Sequence, residues 1–368
     1  MRVLGLSLRD FRGYGAAQVE LGGGLTVITG PNGAGKTNLL EALYFGCTGR
    51  SCRTSNEREL VAFGAPLTRV EVETVAADGP HHLAVAFVPG QPKRMTVDGS
   101  SVERLLDAPG RPLVSVFLPD RLELIKGAPS LRRAHLDQFV GAMWPARTAT
   151  RRAYAQALAQ RNALIARIRA GRAGASSLDS WDRQLAGHGW ALMGDRTRAT
   201  ESVAARFADH GSALGLDGEL ELRYRPRSKA DDVEGLLGEL ADRRESDLER
   251  GFSGHGPHRD ELVSLRDGRD LRVYGSQGQQ RLGLLALLLA ERDALTATRD
   301  APPLMLLDDV MSELDVVRRE ALVERLRASA GQVVITSTDL EHVPGARENG
   351  IVRLAVSAGR VLQDAVAA

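Results

Sequence analysis

The sequence has little cysteine, little lysine and no long apolar run. Its 368 residues include only two cysteines, Cys47 and Cys52, so neither a disulfide framework nor a cysteine-based metal site is expected. The longest strongly apolar stretch, residues 282–290, is far shorter than the roughly 20 residues that a bilayer span needs. The N-terminus has no signal-peptide pattern. These absences predict a cytoplasmic protein with no membrane partner.

Charge is nearly balanced over the whole chain, with 48 Lys and Arg against 47 Asp and Glu. The balance hides a stretch between Met143 and Leu178 that contains no acidic residue. Its arginines are Arg147, Arg151, Arg152, Arg161, Arg167, Arg169 and Arg172. A local basic stretch in a neutral chain favours contact with an anion on one face. We therefore predict that Arg147, Arg151 and Arg152 are candidates for DNA phosphate contacts, although a solvated helix surface is an equally good interpretation.

The order of predicted elements indicates an α/β protein with a mostly helical insertion. Short strands and one helix, Asn38 to Cys47, occupy residues 1–118. Residues 119–251 are dominated by two long helices, Arg147 to Ala170 and Asp179 to His210, which suggest either an antiparallel arm or an ordinary helical subdomain. In residues 252–368 a strand pattern returns, with Leu271 to Val273 predicted as a strand after the Asp267-Gly268 turn. A βαβ alternation towards the C-terminus predicts a parallel sheet.

A phosphate-binding motif follows the predicted strand Leu25 to Thr29 and opens the first helix. The residues Gly30, Pro31, Asn32, Gly33, Ala34, Gly35, Lys36 and Thr37 match the spacing G-x-x-x-x-G-K-T. Glycines let backbone N–H groups surround phosphate oxygens, and the helix directs its positive end at the same charge. Lys36 is expected to reach the β- and γ-phosphates of ATP, and the Thr37 hydroxyl to bind Mg²⁺.

Two carboxylates follow a second buried strand, Leu304 to Leu307. Asp308 at the tip of this strand is predicted to hold Mg²⁺, and Asp309 to act as the general base for the attacking water. Strands ending in Asp are common at turns, so this pattern indicates a functional site only because the phosphate-binding motif is present in the same chain.

A third element is the run from Ser276 to Arg281, immediately before an apolar helix. A serine with a nearby glycine at a helix start, here Ser276 and Gly278, can form a second anion site, and Gln279 belongs to the same loop. A simple helix N-cap explains the serine equally well.

With these elements in this order, the chain resembles the ATPase heads of the ABC and SMC superfamily. It resembles the RecF family of bacterial recombination mediators most closely. The stretches that carry this resemblance are Pro119-Asp120, residues 124–129, residues 132–137, residues 306–315, Phe11-Arg12, Gly49-Arg50-Ser51 with Arg53, and residues 256–260. The resemblance runs nearly end to end and implies an ABC/SMC-type P-loop head with an inserted helical arm.

The resemblance also implies roles. Ser276 and Gly278 would clamp the γ-phosphate bound by the partner subunit of an ATP-dependent homodimer. The loop Ser312 to Asp315 would signal between the two sites, and Thr338 would stand where transporters carry a switch histidine. Members of the family bind DNA, favour junctions of single- and double-stranded DNA, and work with RecR and RecO. This implies recombinational repair, gap processing at replication and support of the SOS response.

Departures from the superfamily pattern shape the expected activity. Transporters place Glu where this chain has Asp309, and the shorter side chain predicts slow, DNA-stimulated hydrolysis used as a switch. No glutamine lies between Val114 and Asp137 to serve as the usual Q-loop ligand. Two alternatives, a transporter engine and a long coiled-coil chromosome protein, lack respectively that glutamine and a long enough helical segment.

Overall fold

A computed structural model describes residues 1–108, 110–299, 301–328 and 331–363; residues 364–368, at the end of the third predicted segment, lie outside it. The strands are β1 (Arg2–Phe11), β2 (Tyr14–Glu20), β3 (Leu25–Thr29), β4 (Thr68–Ala76), β5 (Gly79–Phe87), β6 (Arg94–Val97), β7 (Ser100–Val102), β8 (Val114–Phe117), β9 (Leu220–Arg225), β10 (Glu261–Arg266), β11 (Arg269–Asp270), β12 (Leu304–Leu307), β13 (Val333–Ser337), β14 (Val352–Ser357) and β15 (Arg360–Gln363). The α-helices are α1 (Lys36–Thr48), α2 (Glu123–Lys126), α3 (Pro129–Met143), α4 (Thr148–Arg169), α5 (Leu178–Ala213), α6 (Val233–Asp242), α7 (Arg244–Arg250), α8 (Leu271–Tyr274), α9 (Gln277–Arg299) and α10 (Val316–Ala328).

The chain divides into two compact units. The first comprises residues 1–121 and 295–368, and the second comprises residues 122–294. The predicted segments placed boundaries after residues 118 and 251, so the second boundary differs. Strand β10 pairs with β9 along its whole length, and this pairing keeps the residues after 251 with the helical unit.

The first unit is built on two six-stranded sheets with α1 between them. One sheet is antiparallel, in the order β2-β1-β4-β5-β6-β7. The other has the order β15-β14-β3-β13-β12-β8, and all its pairs are parallel except β14 with the edge strand β15. Strand β3 is therefore central, with buried residues from Leu25 to Ile28. A ligand site is expected at the carboxyl ends of such parallel strands.

One buried amide links the two sheets of this unit. The Gln332 side chain, just before β13, accepts from the Val3 N–H and donates to the Val3 carbonyl at 2.6 Å and the Gly22 carbonyl at 2.7 Å. The side chain thus pairs with the backbone of β1 as a neighbouring strand would. Because every polar atom of this amide is satisfied, its burial carries no desolvation penalty from an unmade hydrogen bond.

The second unit contains the predicted pair of long helices. Arg161 of α4 contacts Asp182 of α5, and Tyr154 lies against Gly189, so the two helices run antiparallel. Helices α6 and α7 pack against this pair. The pair is therefore part of a packed helical subdomain, which is the second of the two interpretations left open by the sequence.

The predicted strand Leu271 to Val273 is wrong. After the Asp267-Gly268 turn only Arg269 and Asp270 pair with β10, and residues 271–274 form the short helix α8. The Asp270 side chain accepts a hydrogen bond from the Arg272 N–H at 2.8 Å and caps this helix. An apolar triplet next to a hairpin turn does not distinguish strand from helix, and the cap decides it.

Among the described residues, no helix is both long and apolar enough to cross a membrane.

Candidate nucleotide-binding site

Three glycines with positive φ angles shape the loop between β3 and α1. Gly30, Gly33 and Gly35 have φ angles of 152°, 80° and 114°. A Cβ atom at Gly30 would lie 2.2 Å from the Val356 carbonyl oxygen. At Gly35 it would lie 2.9 Å from the Tyr14 hydroxyl. The predicted phosphate loop therefore has the left-handed backbone and the close approaches that its glycines allow.

Two contacts from elsewhere in the first unit support the loop. The Tyr14 hydroxyl donates to the Gly35 carbonyl at 2.9 Å, and the Gly359 N–H donates to the Ala34 carbonyl at 3.3 Å. Burial raises the pKa of Tyr14 to about 12, so its hydroxyl keeps its proton and remains a donor at neutral pH. These contacts hold two loop carbonyls against the protein, while within the loop the Ala34 N–H donates to the Pro31 carbonyl at 3.2 Å.

Lys36 at the start of α1 lies over this loop. Its side chain is buried, and the ammonium group donates to the carbonyls of Gly30 at 2.7 Å and Pro31 at 3.1 Å. The first turn of α1 contains no acidic residue. An uncompensated helix N-terminus beside a lysine ammonium forms an anion site of the kind that binds phosphate.

A chain of hydrogen bonds joins this helix to two neighbouring strands. The Thr37 hydroxyl lies 3.0 Å and 2.9 Å from the two carboxylate oxygens of Asp308, at the end of β12. The Thr336 hydroxyl in β13 donates to Asp308 Oδ1 at 2.7 Å and accepts from the Asp309 N–H at 2.8 Å. Sequence reasoning identified Thr37, Asp308 and Asp309. It missed Thr336, because a buried threonine within a strand carries no motif.

The donor set at Asp308 fits a magnesium ion. Burial raises the pKa of Asp308, and hydrogen bonds from Thr336 and Thr37 lower it in part. Desolvation destabilises the charged form of this carboxylate, and a bound cation would stabilise it. One carboxylate and one hydroxyl are also what Mg²⁺ takes from a protein when phosphates and water supply its remaining ligands. Among the described residues there is no larger cluster of His, Cys, Asp and Glu that could enclose a metal by itself.

Asp309 has an unusual backbone and a free carboxylate oxygen. Its φ angle is 48°, in the left-handed region that few non-glycine residues occupy. Its Oδ1 atom is buried and accepts no hydrogen bond from the described residues. Strained residues with unsatisfied polar atoms gather at functional sites, where surrounding structure holds them.

Two arginines near α1 share one buried carboxylate. Glu41 is fully buried, and Arg12 donates to its two oxygens at 2.9 Å each. Arg53 lies 3.3 Å from the same carboxylate and donates to the Asn38 side chain at 3.1 Å. The Ser51 hydroxyl donates to Glu41 as well. The positive charge of Arg53 also lowers the pKa of Asp308. The sequence showed Arg12 and Arg53 only as marks of family resemblance, whereas here they converge beside the phosphate loop.

The serine loop belongs to the second unit. Ser276 precedes α9, its N–H donates to Gln279 Oε1 at 2.9 Å, and the Gln279 N–H donates to Ser276 Oγ at 3.3 Å. This reciprocal pair is a capping box, so the N-cap interpretation of Ser276 holds. Ser276 and Gly278 are exposed. A capped, exposed helix start remains able to offer N–H groups to an anion.

The loop after Asp309 forms a single tight turn, Val310–Glu313. The Ser312 hydroxyl donates to the Asp309 carbonyl at 2.9 Å. Thr338, which follows β13, has its hydroxyl 3.5 Å from His342 Nδ1. The predicted signalling residues therefore belong to segments that begin at the carboxyl ends of β12 and β13.

Acids partly neutralise the predicted DNA-binding arginines. Arg147 lies 3.7 Å from Asp195, and Arg151 lies 3.3 Å from Asp137. Arg152 is exposed and forms no ion pair with the described part of the chain. Arg161 from the same acid-free stretch is fully buried and bonded to Asp182, Asp247 and Ser253. The sequence did not predict these ion pairs, because the acids belong to other helices that are distant along the chain.

Comparison with known proteins gives consistent results over almost the whole chain. A family model described as an AAA domain matches residues 6–83. The protein "DNA replication and repair protein RecF" of Anaeromyxobacter sp. (strain Fw109-5) is 40% identical over 352 residues, covering 92% of this chain and 93% of that protein. The protein of the same name from Myxococcus xanthus (strain DK1622) is 37% identical over 98% of this chain and 97% of its own length.

Solved structures agree with these relatives. A structure described as the recombination mediator protein RecF-ATP in the RecFOR pathway superposes with a TM-score of 0.86 at 28% identity, covering 99% of this chain and 98% of that one. An SMC head bound to a domain of ScpA has a TM-score of 0.62 at 16% identity over 100% of this chain and 98% of that one, which shows a shared fold. The fold is thus an ABC/SMC-type ATPase head with an inserted, mostly helical subdomain, and the chain belongs to the RecF family.

Proposed function

We propose that this protein is an ATP-dependent DNA-binding protein of recombinational repair and replication-gap processing. ATP brings two copies together around DNA, and slow hydrolysis releases them. The observation that carries the proposal is the hydrogen-bonded chain from Thr37 through Asp308 and Thr336 to Asp309, beside a glycine loop shaped for phosphate. This arrangement supports the proposal, because a glycine loop of the phosphate-binding type and the carboxylates of Asp308 and Asp309 lie close together.

Each residue of the site has a proposed task. Backbone N–H groups of residues 32–37 would bind the phosphate oxygens, and the Lys36 ammonium, which now donates to loop carbonyls, would bind the β- and γ-phosphates. Thr37 and Asp308 hold Mg²⁺, which neutralises phosphate charge when it is bound. Arg53, fixed by Glu41 and Asn38, adds a second cation near the metal-binding carboxylate.

Asp309 is the proposed general base. Its buried and unbonded Oδ1 can accept the proton of the attacking water, and the Asp309 N–H bond to Thr336 fixes the backbone from which the carboxylate extends. Aspartate is one methylene shorter than the glutamate of transporters. We therefore expect the proton acceptor to lie farther from the water, which makes hydrolysis slow and suits a switch.

Dimer formation involves the serine loop of the second unit. Ser276, Gly278 and Gln279 would contact the γ-phosphate that the partner subunit holds, through exposed N–H groups at the start of α9. The turn containing Ser312 would transmit the state of one site to the other, since its serine bonds the backbone of Asp309. Nucleotide binding would thus be required for a stable dimer.

The solved relative is described within the RecFOR pathway, and this supports DNA, RecR and RecO as partners of this chain. Junctions and gaps between single- and double-stranded DNA are the proposed substrates. The recombinase is loaded there, and the same activity would support the SOS response in the cytoplasm. Arg152 is the best of the three predicted arginines for a phosphate contact, because it has no ion pair within the described residues.

Gel filtration with Mg²⁺ and a slowly hydrolysed ATP analogue tests nucleotide-driven dimerisation. We expect the wild-type chain to shift to a dimer, and Lys36→Ala to remain a monomer. Gly187→Ala, in an open position on α5, is the matched control and should behave as wild type. A Lys36→Ala protein that dimerises as well as wild type would remove the phosphate loop from the mechanism.

Replacing Asp309 with asparagine separates binding from hydrolysis. The amide keeps the size of the side chain but cannot act as a base, so turnover should fall by about 100-fold or more while ATP still binds and the dimer persists longer. Gly187→Ala again serves as the control, because its position on α5 is open and lies outside the proposed site. Unchanged turnover in Asp309→Asn would show that another group takes the proton.

A further inference from the structure

Phe63 is a fully exposed aromatic residue in a chain with few aromatics. Its exposure is 108% of the reference value for an extended chain. Among described residues between 5 and 130 it is the only large hydrophobic side chain that is exposed. Isolated exposed hydrophobics are common on protein surfaces, so exposure alone indicates nothing. The backbone that carries Phe63 is what distinguishes it.

A tight turn holds Phe63 outward. The Ala65 N–H donates to the Ala62 carbonyl at 3.0 Å, which closes a four-residue turn with Phe63 and Gly64 at its centre. Gly64 has a φ angle of 79°, and Phe63 does not have a positive φ. This combination defines a type II turn, whose third position favours glycine. The aromatic ring therefore projects from a defined corner of the backbone.

The turn is fastened to the end of β1. The Ala62 N–H donates to the Asp10 carbonyl at 2.8 Å, and the Arg12 N–H donates to the Leu60 carbonyl at 2.8 Å. Phe11, which pairs with Val61, is fully buried and packs on Phe45 of α1 with ring centroids 5.9 Å apart. The pairing of residues 10–12 with residues 60–62 is thus anchored in the core through Phe11, and it leaves Phe63 exposed to solvent.

The same segment connects to the nucleotide site. Arg12 makes two hydrogen bonds of 2.9 Å to Glu41, which lies in the helix that begins with Lys36. A ligand that displaced the Phe63 turn would therefore displace the end of β1 and, through the Arg12–Glu41 hydrogen bonds, α1. These hydrogen bonds connect the turn to the helix that follows the phosphate loop.

The surroundings of the turn favour an anion. Arg9 and Arg58 are exposed, and neither forms an ion pair within the described part of the chain. Nearby, Glu57 is paired with Lys93, and Glu59 lies 3.8 Å from Arg12. Arg9 precedes Asp10, whose carbonyl accepts from the Ala62 N–H, and Arg58 belongs to the turn Glu57–Leu60, so the backbone that adjoins the Phe63 turn carries both cations. Proteins that bind single-stranded nucleic acid combine basic side chains with exposed aromatic rings.

We propose that Phe63 is a stacking platform for an unpaired base of DNA, with Arg9 and Arg58 contacting the adjoining phosphates. This rests on the DNA-binding function proposed above and adds a site for the single-stranded side of a junction. A protein partner fits less well, because one ring on one turn offers far less than the roughly 800 Å² per partner of a typical interface. Ring stacking also suits any base, since every base has a π-face.

The test compares Phe63→Ala, Phe63→Leu and Phe63→Trp in binding a fluorescent oligothymidylate, with ATP and Mg²⁺ present. Stacking predicts that Ala and Leu both weaken binding by about 5- to 100-fold, whereas Trp retains it. Binding of blunt duplex should change little in all three variants. Emission of the Trp variant, corrected for the three native tryptophans, should be quenched by the oligonucleotide.

Two further comparisons make the result specific. Phe252→Ala removes another exposed phenylalanine, in the second unit, and should leave oligonucleotide binding unchanged. Phe63→Ala should keep the wild-type salt dependence, whereas Arg9→Gln with Arg58→Gln should flatten it, because only the arginines release counterions. Thermal melting should show that Phe63→Ala folds as wild type, since its side chain contacts solvent.

The outcomes separate the two proposals. If the wild-type chain bound no DNA with ATP, the proposed function itself would fail. If wild type bound and Phe63→Ala bound equally well, only the stacking platform would be refuted. Phe63→Leu binding as tightly as wild type would show an apolar contact in place of stacking, which also overturns the proposal.

Discussion

Thr336 gives the sharpest test of how the site is held together. Its hydroxyl is fully buried in β13, donates to Asp308 Oδ1 at 2.7 Å and accepts from the Asp309 N–H at 2.8 Å. Thr336→Val keeps the shape of the side chain and removes both bonds. The Asp309 N–H then has no partner, while Asp308 retains only Thr37 among its hydroxyl partners.

The magnitude follows from these two losses. An orphaned buried N–H costs about 1–3 kcal/mol, and a lost hydrogen bond to a charged carboxylate costs about 1.5–3 kcal/mol. Together we expect a loss of about 3 kcal/mol in the free energy of unfolding, allowing for partial relaxation. For a unit of this size, that lowers the melting temperature by about 6–12 °C.

Differential scanning calorimetry on wild type, Thr336→Val and Thr336→Ser measures the effect. Serine keeps the hydroxyl and loses one buried methyl group, which costs about 1 kcal/mol. The valine variant should therefore melt several degrees below the serine variant. A valine variant as stable as wild type, or more stable than the serine variant, would refute the claim that this hydroxyl organises the site.

Three further predictions concern packing, pH and a buried charge. Gly46→Ala should lower the free energy of unfolding by about 1–3 kcal/mol, because its Cβ would lie 2.4 Å from a valine of β4. Gly187→Ala, in an open helix position, should raise it by up to about 1 kcal/mol. Urea unfolding of the two variants and wild type measures both effects. Burial lowers the pKa of His258 to about 4. Between pH 6.5 and 4 the unfolded chain therefore binds more protons than the folded chain. The free energy of unfolding should fall by about 2–3 kcal/mol as the pH drops through that window. In urea midpoints measured against pH, His258→Gln should show a smaller fall than wild type. Arg161→Met should cost about 3–5 kcal/mol, since it leaves the buried Asp247 carboxylate without its cation; equal urea midpoints for wild type and variant would contradict this.

Elements with a strong local pattern could be predicted from the sequence. The strand Leu25–Thr29 and the strand Leu304–Leu307 have the predicted bounds, since each is a compact apolar run bordered by glycine or aspartate. The loop between β3 and α1 was recognisable because its glycines, lysine and threonine have a fixed spacing that the chemistry demands. Local rules were sufficient where backbone conformation and function depend on the same few residues.

Interactions between distant segments could not be predicted in this way. Glu41 lies within a helix and carries no motif, yet it joins Arg12 and Arg53, which come from other elements. Thr336 is one of several buried residues in β13, and only the sheet order places it beside Asp308. Such contacts depend on topology, which the linear pattern does not specify.

The arginine stretch between Met143 and Leu178 is a case in which the sequence pattern predicted more exposed charge than the structure has. Its composition suggested an open basic surface, but Arg161 is buried against Asp182 and Asp247 from two other helices. Charge counted along a sequence omits the acids that folding brings close. Candidate DNA contacts are therefore better chosen from exposed and unpaired arginines such as Arg152 and Arg58.

Isothermal titration calorimetry of the purified chain with ATP and Mg²⁺ is the most direct test of nucleotide binding at the glycine loop. We expect saturable uptake of one nucleotide per chain, abolished by Lys36→Ala and weakened by Asp308→Asn. A wild-type chain that folds normally and takes up no ATP would contradict it.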